Sequence, residues 1–137
     1  MDISHFDDLL RAARAQPEPQ RLLFVFVGAE LPADATPAQR ARFEAGEGGA
    51  LAPLMCVDKG ADELESFDAL ARESLQFDQP DRPWRLVFAA ALAGAPGRAP
   101  TSADADAPLQ RMVEAVKTGS HGAYIPFDRR GLPVRWG

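Results

Sequence analysis

The sequence predicts an α/β fold, arranged as a single layered domain over residues 1–137. Apolar segments rich in β-forming residues alternate with segments whose apolar residues recur at helical spacing. Because the predicted strands are apolar throughout, they favour a mixed sheet with substantial parallel pairing and helices on both faces. We expect about five strands, about four helices and a C-terminal hairpin at the sheet edge. A chain of this length encloses one core, which buries roughly two-thirds of the unfolded chain's surface.

The chain is predicted to begin with a helix and a buried strand. Apolar residues recur every three or four positions over 3–15, and Ser4 with Asp7 resembles a capping box at the start of that helix. The segment 22–27 is apolar without interruption, which is typical of a strand buried on both faces.

A short second helix, over 37–45, has the clearest start in the sequence. Thr36 is its predicted N-cap, and Pro37 occupies the first helical position, where its missing N–H removes no hydrogen bond. Gln39 can reach back to the amide of Thr36 and so complete a capping box. Gly46 is predicted to end the helix in a left-handed conformation.

The middle of the chain continues the alternation. A second strand is predicted over 51–57 and a helix over about 62–76, with Asp62 as its N-cap and Glu65 at the complementary capping-box position. A third strand follows over 84–92, in the most apolar part of the sequence.

The position of Pro108 governs the predicted start of the last helix. Proline has no N–H to donate, so it is tolerated best in the first helical turn, and we expect the helix to begin near Asp106. Gly119 stands where the helix should end.

The C-terminal segment is predicted to form a hairpin. Strands over 124–127 and 132–136 flank a turn that ends in Gly131, the residue preferred in a bulged hairpin. Pro126 and Pro133 each remove a hydrogen-bond donor, so the hairpin is expected at the edge of the sheet.

The charge balance argues against nucleic acid as a partner. The chain has 20 acidic and 15 basic residues, and its net charge is -5. A phosphate backbone is bound by clustered Lys and Arg, whereas the basic residues here are scattered. The densest groups of basic residues stand beside acidic residues. Arg129 and Arg130 are predicted to be solvated residues of the hairpin turn.

The sequence also predicts a cytoplasmic location and no membrane segment. Cys56 is the one cysteine, so the chain cannot form an intramolecular disulfide. The acidic first residues lack the basic-then-apolar order of a secretion signal. The longest apolar run, over 86–93, is less than half of the about 20 residues that a membrane-spanning helix needs.

Cys56, Asp58 and Lys59 are the first group of candidate ligand-binding residues. They are predicted to lie where the second strand runs into a loop, a favoured place for ligands in open α/β sheets. A cation or a helix N-terminus nearby would favour a reactive thiolate at Cys56. In the alternative interpretation Cys56 is a small buried apolar residue, and Asp58 and Lys59 are turn residues.

Arg98, Thr101 and Ser102 are the second group. Their loop leads towards a helix N-terminus, where an arginine, two hydroxyls and free amides can hold a phosphate or a carboxylate. Asp104 and Asp106 place negative charge where that anion would sit, so the alternative is an ordinary capped loop. The loop lacks the pattern of a Walker nucleotide-binding loop, and no cofactor is predicted.

The sequence predicts no metal site and no catalytic residues. His5 and His121 are the two histidines, and a zinc site needs three or four ligands at recognisable spacing. Both are predicted to be polar surface residues. Trp136, close to the C-terminus, either packs back on the domain or contributes to an interface.

Several stretches carry a resemblance to a known group of proteins. They cover 16–26, 54–59 and 97–102, together with 109–113 and 125–128. Over nearly its whole length the chain thereby resembles small proteobacterial proteins that are often labelled ribonucleotide reductase subunit alpha.

This resemblance implies at most an accessory or regulatory role. Reductase catalysis needs a cysteine that carries a thiyl radical and a redox-active cysteine pair, and Cys56 alone cannot supply them. The order of elements is also similar, more weakly, to the N-terminal domain of the SseB family. Neither likeness implies particular site residues.

The leading functional hypothesis is a small binding or regulatory module that acts on a protein partner or forms a homodimer. It is motivated by the lack of a catalytic constellation, a metal cluster or a nucleotide-binding motif in the sequence. The alternative is a small enzyme or a binder of a small anionic ligand, which would use the loops after the second and third strands.

Overall fold

The computed structural model describes residues 3–31, 33–45, 50–76 and 83–134. These residues confirm the α/β class and the predicted alternation of helices with strands. The helices are α1 (Phe6–Arg14), α2 (Pro37–Glu44), α3 (Phe67–Ser74) and α4 (Ser102–Thr118), and the strands are β1 (Gln20–Glu30), β2 (Ala50–Gly60), β3 (Leu86–Ala93) and β4 (Ile125–Phe127).

The four strands form one open sheet in the order β2-β1-β3-β4, and each neighbouring pair is antiparallel. The predicted parallel pairing is therefore wrong, and the sheet of the described residues has four strands rather than about five. Parallel neighbours need a crossover that packs on the sheet, usually a helix. The helix between β1 and β2 is α2, which buries none of its residues, so the chain returns beside β1 in the opposite direction.

Helices cover the sheet on both faces, as predicted. Central strand β1 alternates strictly: Leu22, Phe24 and Phe26 face α1 and α3, whereas Leu23, Val25 and Val27 face α4. All six side chains are at most 2% exposed, which explains why the strand sequence is apolar without a break. Burying each contributes roughly 1.5–3 kcal/mol to stability.

Two helices begin at residues other than those predicted. The N-cap of α1 is His5 rather than Ser4, with Asp8 completing the capping box. The N-cap of α3 is Ser66 rather than Asp62, since β2 continues to Gly60 and the chain needs the next residues to turn. The predicted capping box of α2 at Thr36 is confirmed. Gly46 lies outside the described residues.

The predicted start of α4 near Asp106 is also wrong, because the helix begins at Ser102 and contains Pro108 in its interior. Thr101 Oγ1 accepts from the Asp104 amide at 3.2 Å, and Asp104 Oδ2 accepts from the Thr101 amide at 2.9 Å. These two reciprocal bonds outweigh the one helical hydrogen bond that Pro108 cannot make. Gly119 ends the helix as predicted, at φ +77°.

The C-terminal hairpin lies at the sheet edge, as its prolines predicted, since β4 is the last strand beside β3. Gly131 closes its turn at φ +81°. Among the described residues the returning arm is a single bridge between Phe127 and Pro133 rather than a full strand. Residues 135 and 136, including Trp136, lie outside the described residues.

Candidate functional site

Two of the predicted site residues meet in a polar cluster between β1, β2 and the start of α4. Ser102 Oγ donates to Asp58 Oδ2 at 2.5 Å. Arg21 Nε donates to the same oxygen at 2.5 Å, and Arg21 Nη2 donates to Ser102 Oγ at 3.3 Å. The side chains of Arg21 and Asp58 are only 15% and 18% exposed. The cluster thus joins the two predicted loops, but it is filled by its own hydrogen bonds.

Arg21 was not among the residues that the sequence singled out. It precedes the buried strand segment and lies in phase with Leu23, Val25 and Val27, so it shares the face of the sheet that α4 covers. A charged side chain on a buried face of a sheet needs a partner of opposite charge, because burying an unpaired charge is costly. That pattern was present in the sequence, although it did not identify Asp58 as the partner.

The environment of Asp58 favours its ionised form. Burial alone would raise its pKa, but the hydrogen bonds from Ser102 and Arg21 and the charge of Arg21 together outweigh burial, so the pKa lies below its usual value. The unfolded state therefore takes up a proton here at a higher pH than the folded state does. Ionised Asp58 stabilises the fold above the unfolded-state pKa, and this contribution is lost as the pH falls through the folded-state pKa.

We expect Asp58→Asn to lower the free energy of unfolding at neutral pH and to flatten its decline below about pH 4, where unfolded aspartate begins to protonate. The loss at neutral pH should be about 2–3 kcal/mol, because the substitution leaves the guanidinium of Arg21 partly buried without its counter-charge. Urea unfolding at a series of pH values measures both effects. Asp62→Asn, in the exposed turn after β2, is the control for removing one negative charge, and equal pH curves for the two variants would contradict the prediction.

The structure separates the first predicted group of site residues. Since β2 runs to Gly60, Cys56 and Asp58 lie inside the strand rather than at its end, which corrects the prediction. Cys56 and Asp58 face the α4 side of the sheet, and Lys59 faces the α3 side, where its Nζ lies 2.8 Å from Glu73 Oε1. Cys56 is exposed, so the interpretation of it as a buried apolar residue is also wrong.

The structure also separates the second predicted group of site residues, which are Arg98, Thr101 and Ser102. Thr101 is the N-cap of α4, and Ser102 belongs to the polar cluster with Asp58. Arg98 is exposed and lines an open groove of about 320 Å³ between the end of β3 and the start of α4. Asp104 lines the same groove, and the hydrogen bonds from Thr101 lower its pKa, with the charge of Arg98 as a smaller cause. The position that suits an anion therefore already holds a carboxylate.

The other singled-out polar residues have structural contacts. His5 Nδ1 accepts from the Asp7 amide at 3.0 Å, which places the ring proton on Nε2, 3.0 Å from the Arg130 carbonyl oxygen. Arg129 lies 4.6 Å over the ring of Trp84 and donates to its carbonyl oxygen at 2.8 Å. The His5 side chain is still 34% exposed and Arg129 is exposed, so both lie at the surface, as predicted, while making these contacts.

His121 is half-buried, and its ring centroid lies 4.9 Å from that of Phe88. Within the part of the chain that the structure describes, no group of three or more His, Cys, Asp or Glu side chains is placed to hold a metal ion. In that same part, every helix is too short or too polar to cross a bilayer.

The outer side of β2 is an edge of the sheet, and no other described strand pairs with it. Ala61 N–H donates to the Gln20 carbonyl at 2.9 Å, and Gly60 lies opposite Arg21. Because hydrogen-bonded and non-hydrogen-bonded pairs alternate in an antiparallel ladder, the main-chain groups of Cys56, Asp58 and Gly60 point away from β1.

One of these three outward amides, that of Gly60, donates to Glu63 Oε1 at 3.1 Å. No described side chain accepts from the amide of Cys56. Three half-buried apolar side chains surround Cys56: Leu54, Met55 and Val57. We call residues 54–57 the β2 edge.

The opposite edge of the sheet is blocked. The Val134 amide donates to the Pro126 carbonyl at 3.0 Å, and the Asp128 amide donates to the Leu132 carbonyl at 2.9 Å. The returning arm of the hairpin therefore covers the outer side of β4, where Pro126 and Pro133 also remove donors. Of the two edges formed by the described residues, only that of β2 has main-chain groups available for a further strand.

No family model, curated protein or solved structure matches this chain.

Proposed function

We propose that this protein is a binding module whose β2 edge accepts a strand from another polypeptide. Strand addition combines main-chain hydrogen bonds, which give affinity, with alternating side-chain contacts, which give specificity. The observation that carries the proposal is the outward amide and carbonyl of Cys56, flanked by the half-buried side chains of Met55 and Val57. A regulatory or accessory role in the cytoplasm would need no more than this surface.

The charges of β2 support an uncharged strand as the occupant. Free edge strands are commonly protected by unpaired charged side chains, above all lysine. Here Lys59 is paired with Glu73 and Asp58 with Arg21, so neither leaves a net charge beside the β2 edge.

A small-ligand function has less support. The polar cluster around Asp58 is filled by its own hydrogen bonds, and the groove beside Arg98 contains the carboxylate of Asp104. Both features oppose an anionic ligand, which the N-terminus of α4 would otherwise attract.

Site-specific photo-cross-linking in cells tests the proposal. A benzophenone amino acid at position 56 should yield protein adducts, because a strand paired with Cys56 lies within reach of its side chain. The matched position is Gln110, an exposed residue of α4, which should give few adducts. Met55→Lys should reduce the adducts at position 56 by about tenfold, since a charge replaces an apolar contact beside the added strand.

Equal adduct yields at positions 56 and 110 would contradict the proposal. So would adducts at position 56 that Met55→Lys leaves unchanged, provided that this variant unfolds at the same temperature as the parent protein. Gln110→Lys adds the same charge away from the β2 edge and should have no effect.

A further inference from the structure

We infer that the occupant of the β2 edge is a second copy of this chain, so that two sheets join as one continuous antiparallel sheet about a two-fold axis at Cys56. This inference rests on the proposed function, because it uses the same edge. It adds the identity of the partner and the register of the pairing.

The free main-chain groups fix that register. An isologous pair must place one outward-facing residue opposite itself, so that each copy donates and accepts one hydrogen bond at the axis. The amide of Gly60 already has an acceptor, and outward-facing Pro53 has no amide hydrogen. An axis at Asp58 would set its carboxylate opposite that of Asp58 of the partner subunit, and like charges directly opposite each other destabilise a strand pair. Cys56 therefore is the outward residue that can both donate to and accept from its own copy.

The side chains beside Cys56 are complementary in this register. Met55 comes to lie opposite Val57 of the partner subunit, and Val57 lies opposite Met55 of the partner subunit. Both residues face the α3 side of the sheet, where each is half-buried in one copy. Four apolar side chains thus lie together around the axis on the α3 side of the joined sheet. They have the close spacing of non-hydrogen-bonded pairs.

The charges are compatible with the same arrangement. Asp58 would lie opposite Leu54 of the partner subunit, so no two like charges of β2 face each other. Both charged residues of β2 already have counter-ions in their own copy. They therefore add no unpaired charge at the contact between two chains that each have a net charge of -5. Because the returning arm covers β4, pairing through β2 closes at two copies rather than extending into a filament.

Light scattering on the intact protein tests the inference. We expect twice the mass of one chain at micromolar concentration. Met55→Lys should raise the dissociation constant of the dimer by about tenfold or more, whereas Gln110→Lys should leave it unchanged. Thermal unfolding of both variants shows whether they remain folded, and Val57→Lys serves as the second variant if Met55→Lys does not.

Cysteine cross-linking tests the register. Residues that pair as a hydrogen-bonded couple have Cα atoms about 5.5 Å apart, within the range that a disulfide spans. Added diamide takes up two electrons and two protons as the bond forms, and it should link Cys56 to Cys56 of the partner subunit rapidly. The control is Cys56→Ser with Ser120→Cys, which moves the thiol to an exposed loop and should cross-link only by slow collision.

A mass of one chain at several hundred micromolar, with diamide cross-linking no faster at Cys56 than in the control, would overturn the inference. If photo-adducts at position 56 then still depended on Met55 and contained a different protein, strand addition would stand with another partner. If those adducts were missing as well, both the inference and the proposed function would be rejected.

Discussion

Phe6→Ala should lower the free energy of unfolding by about 3–5 kcal/mol, the range found when a fully buried phenylalanine is truncated. Phe6 is completely buried and joins three elements of the fold. Its ring centroid lies 5.3 Å from that of Phe67 in α3, 5.7 Å from Phe24 in β1 and 5.2 Å from Phe127 in β4. Truncation leaves a cavity among three aromatic rings that the backbone around them prevents from closing.

Chemical denaturation followed by tryptophan fluorescence measures this loss. Phe6→Leu should destabilise much less, because it keeps most of the apolar volume. Leu75→Ala removes a large apolar side chain that is 57% exposed, and should change stability by less than about 0.5 kcal/mol. Similar losses for Phe6→Ala and Leu75→Ala would mean that α1 does not pack on the sheet as described.

Gly131→Ala should destabilise the protein by about 2–4 kcal/mol, from two separate causes. The residue has φ +81°, where an L-residue costs about 1–2 kcal/mol relative to glycine. A Cβ atom there would also lie 2.6 Å from His5 Nε2 and 3.0 Å from the Phe67 ring. The imidazole cannot easily withdraw, since its two nitrogens contact the Asp7 amide and the Arg130 carbonyl.

Gly119→Ala is the matched control, because Gly119 has φ +77° but no atom within 4 Å of the added Cβ. Its loss should reflect the backbone conformation alone, so the difference between the two variants measures the collision with His5. In a double-mutant cycle, His5→Ala should recover part of the loss in Gly131→Ala. Equal losses at the two glycines, with no coupling to His5, would contradict the docking of the hairpin turn on the start of α1.

Local patterns predicted the burial of β1 and the start of α2 correctly. The uninterrupted apolar run of β1 predicted a strand covered on both faces, and the capping box at Thr36 marked the start of α2. The prolines of the C-terminal hairpin predicted its place at the sheet edge. Each of these properties depends on residues a few positions apart, whose side-chain chemistry is visible in the sequence.

The same kind of pattern predicted the wrong helix start where two local preferences competed. Pro108 predicted a late start for α4, but the capping box of Thr101 and Asp104 begins the helix four residues earlier than Asp106. Ser4 and Asp62 were suitable caps by residue type, yet His5 and Ser66 occupy those positions. Residue type alone did not choose between these caps, because serine and aspartate are both preferred N-cap residues and histidine is not among them.

The candidate site was predictable only in its parts. Asp58 and Ser102 were singled out separately, but 44 residues separate them along the chain, and Asp58 is 37 residues from Arg21. The β2 edge escaped prediction because the second strand was predicted to end at 57, next to a loop, whereas β2 continues to Gly60 and Cys56 lies in the middle of an edge strand.

The sequence by itself determined the α/β class and the alternation of helices with strands, because hydrophobic periodicity acts within a few residues. Only the tertiary structure decided that the strands run antiparallel in the order β2-β1-β3-β4, and so that β2 lies at the open edge. A strand buried on both faces has the same apolar sequence in either direction. Its direction depends on which distant segment supplies its hydrogen bonds, and that choice is made by the packing of the whole chain.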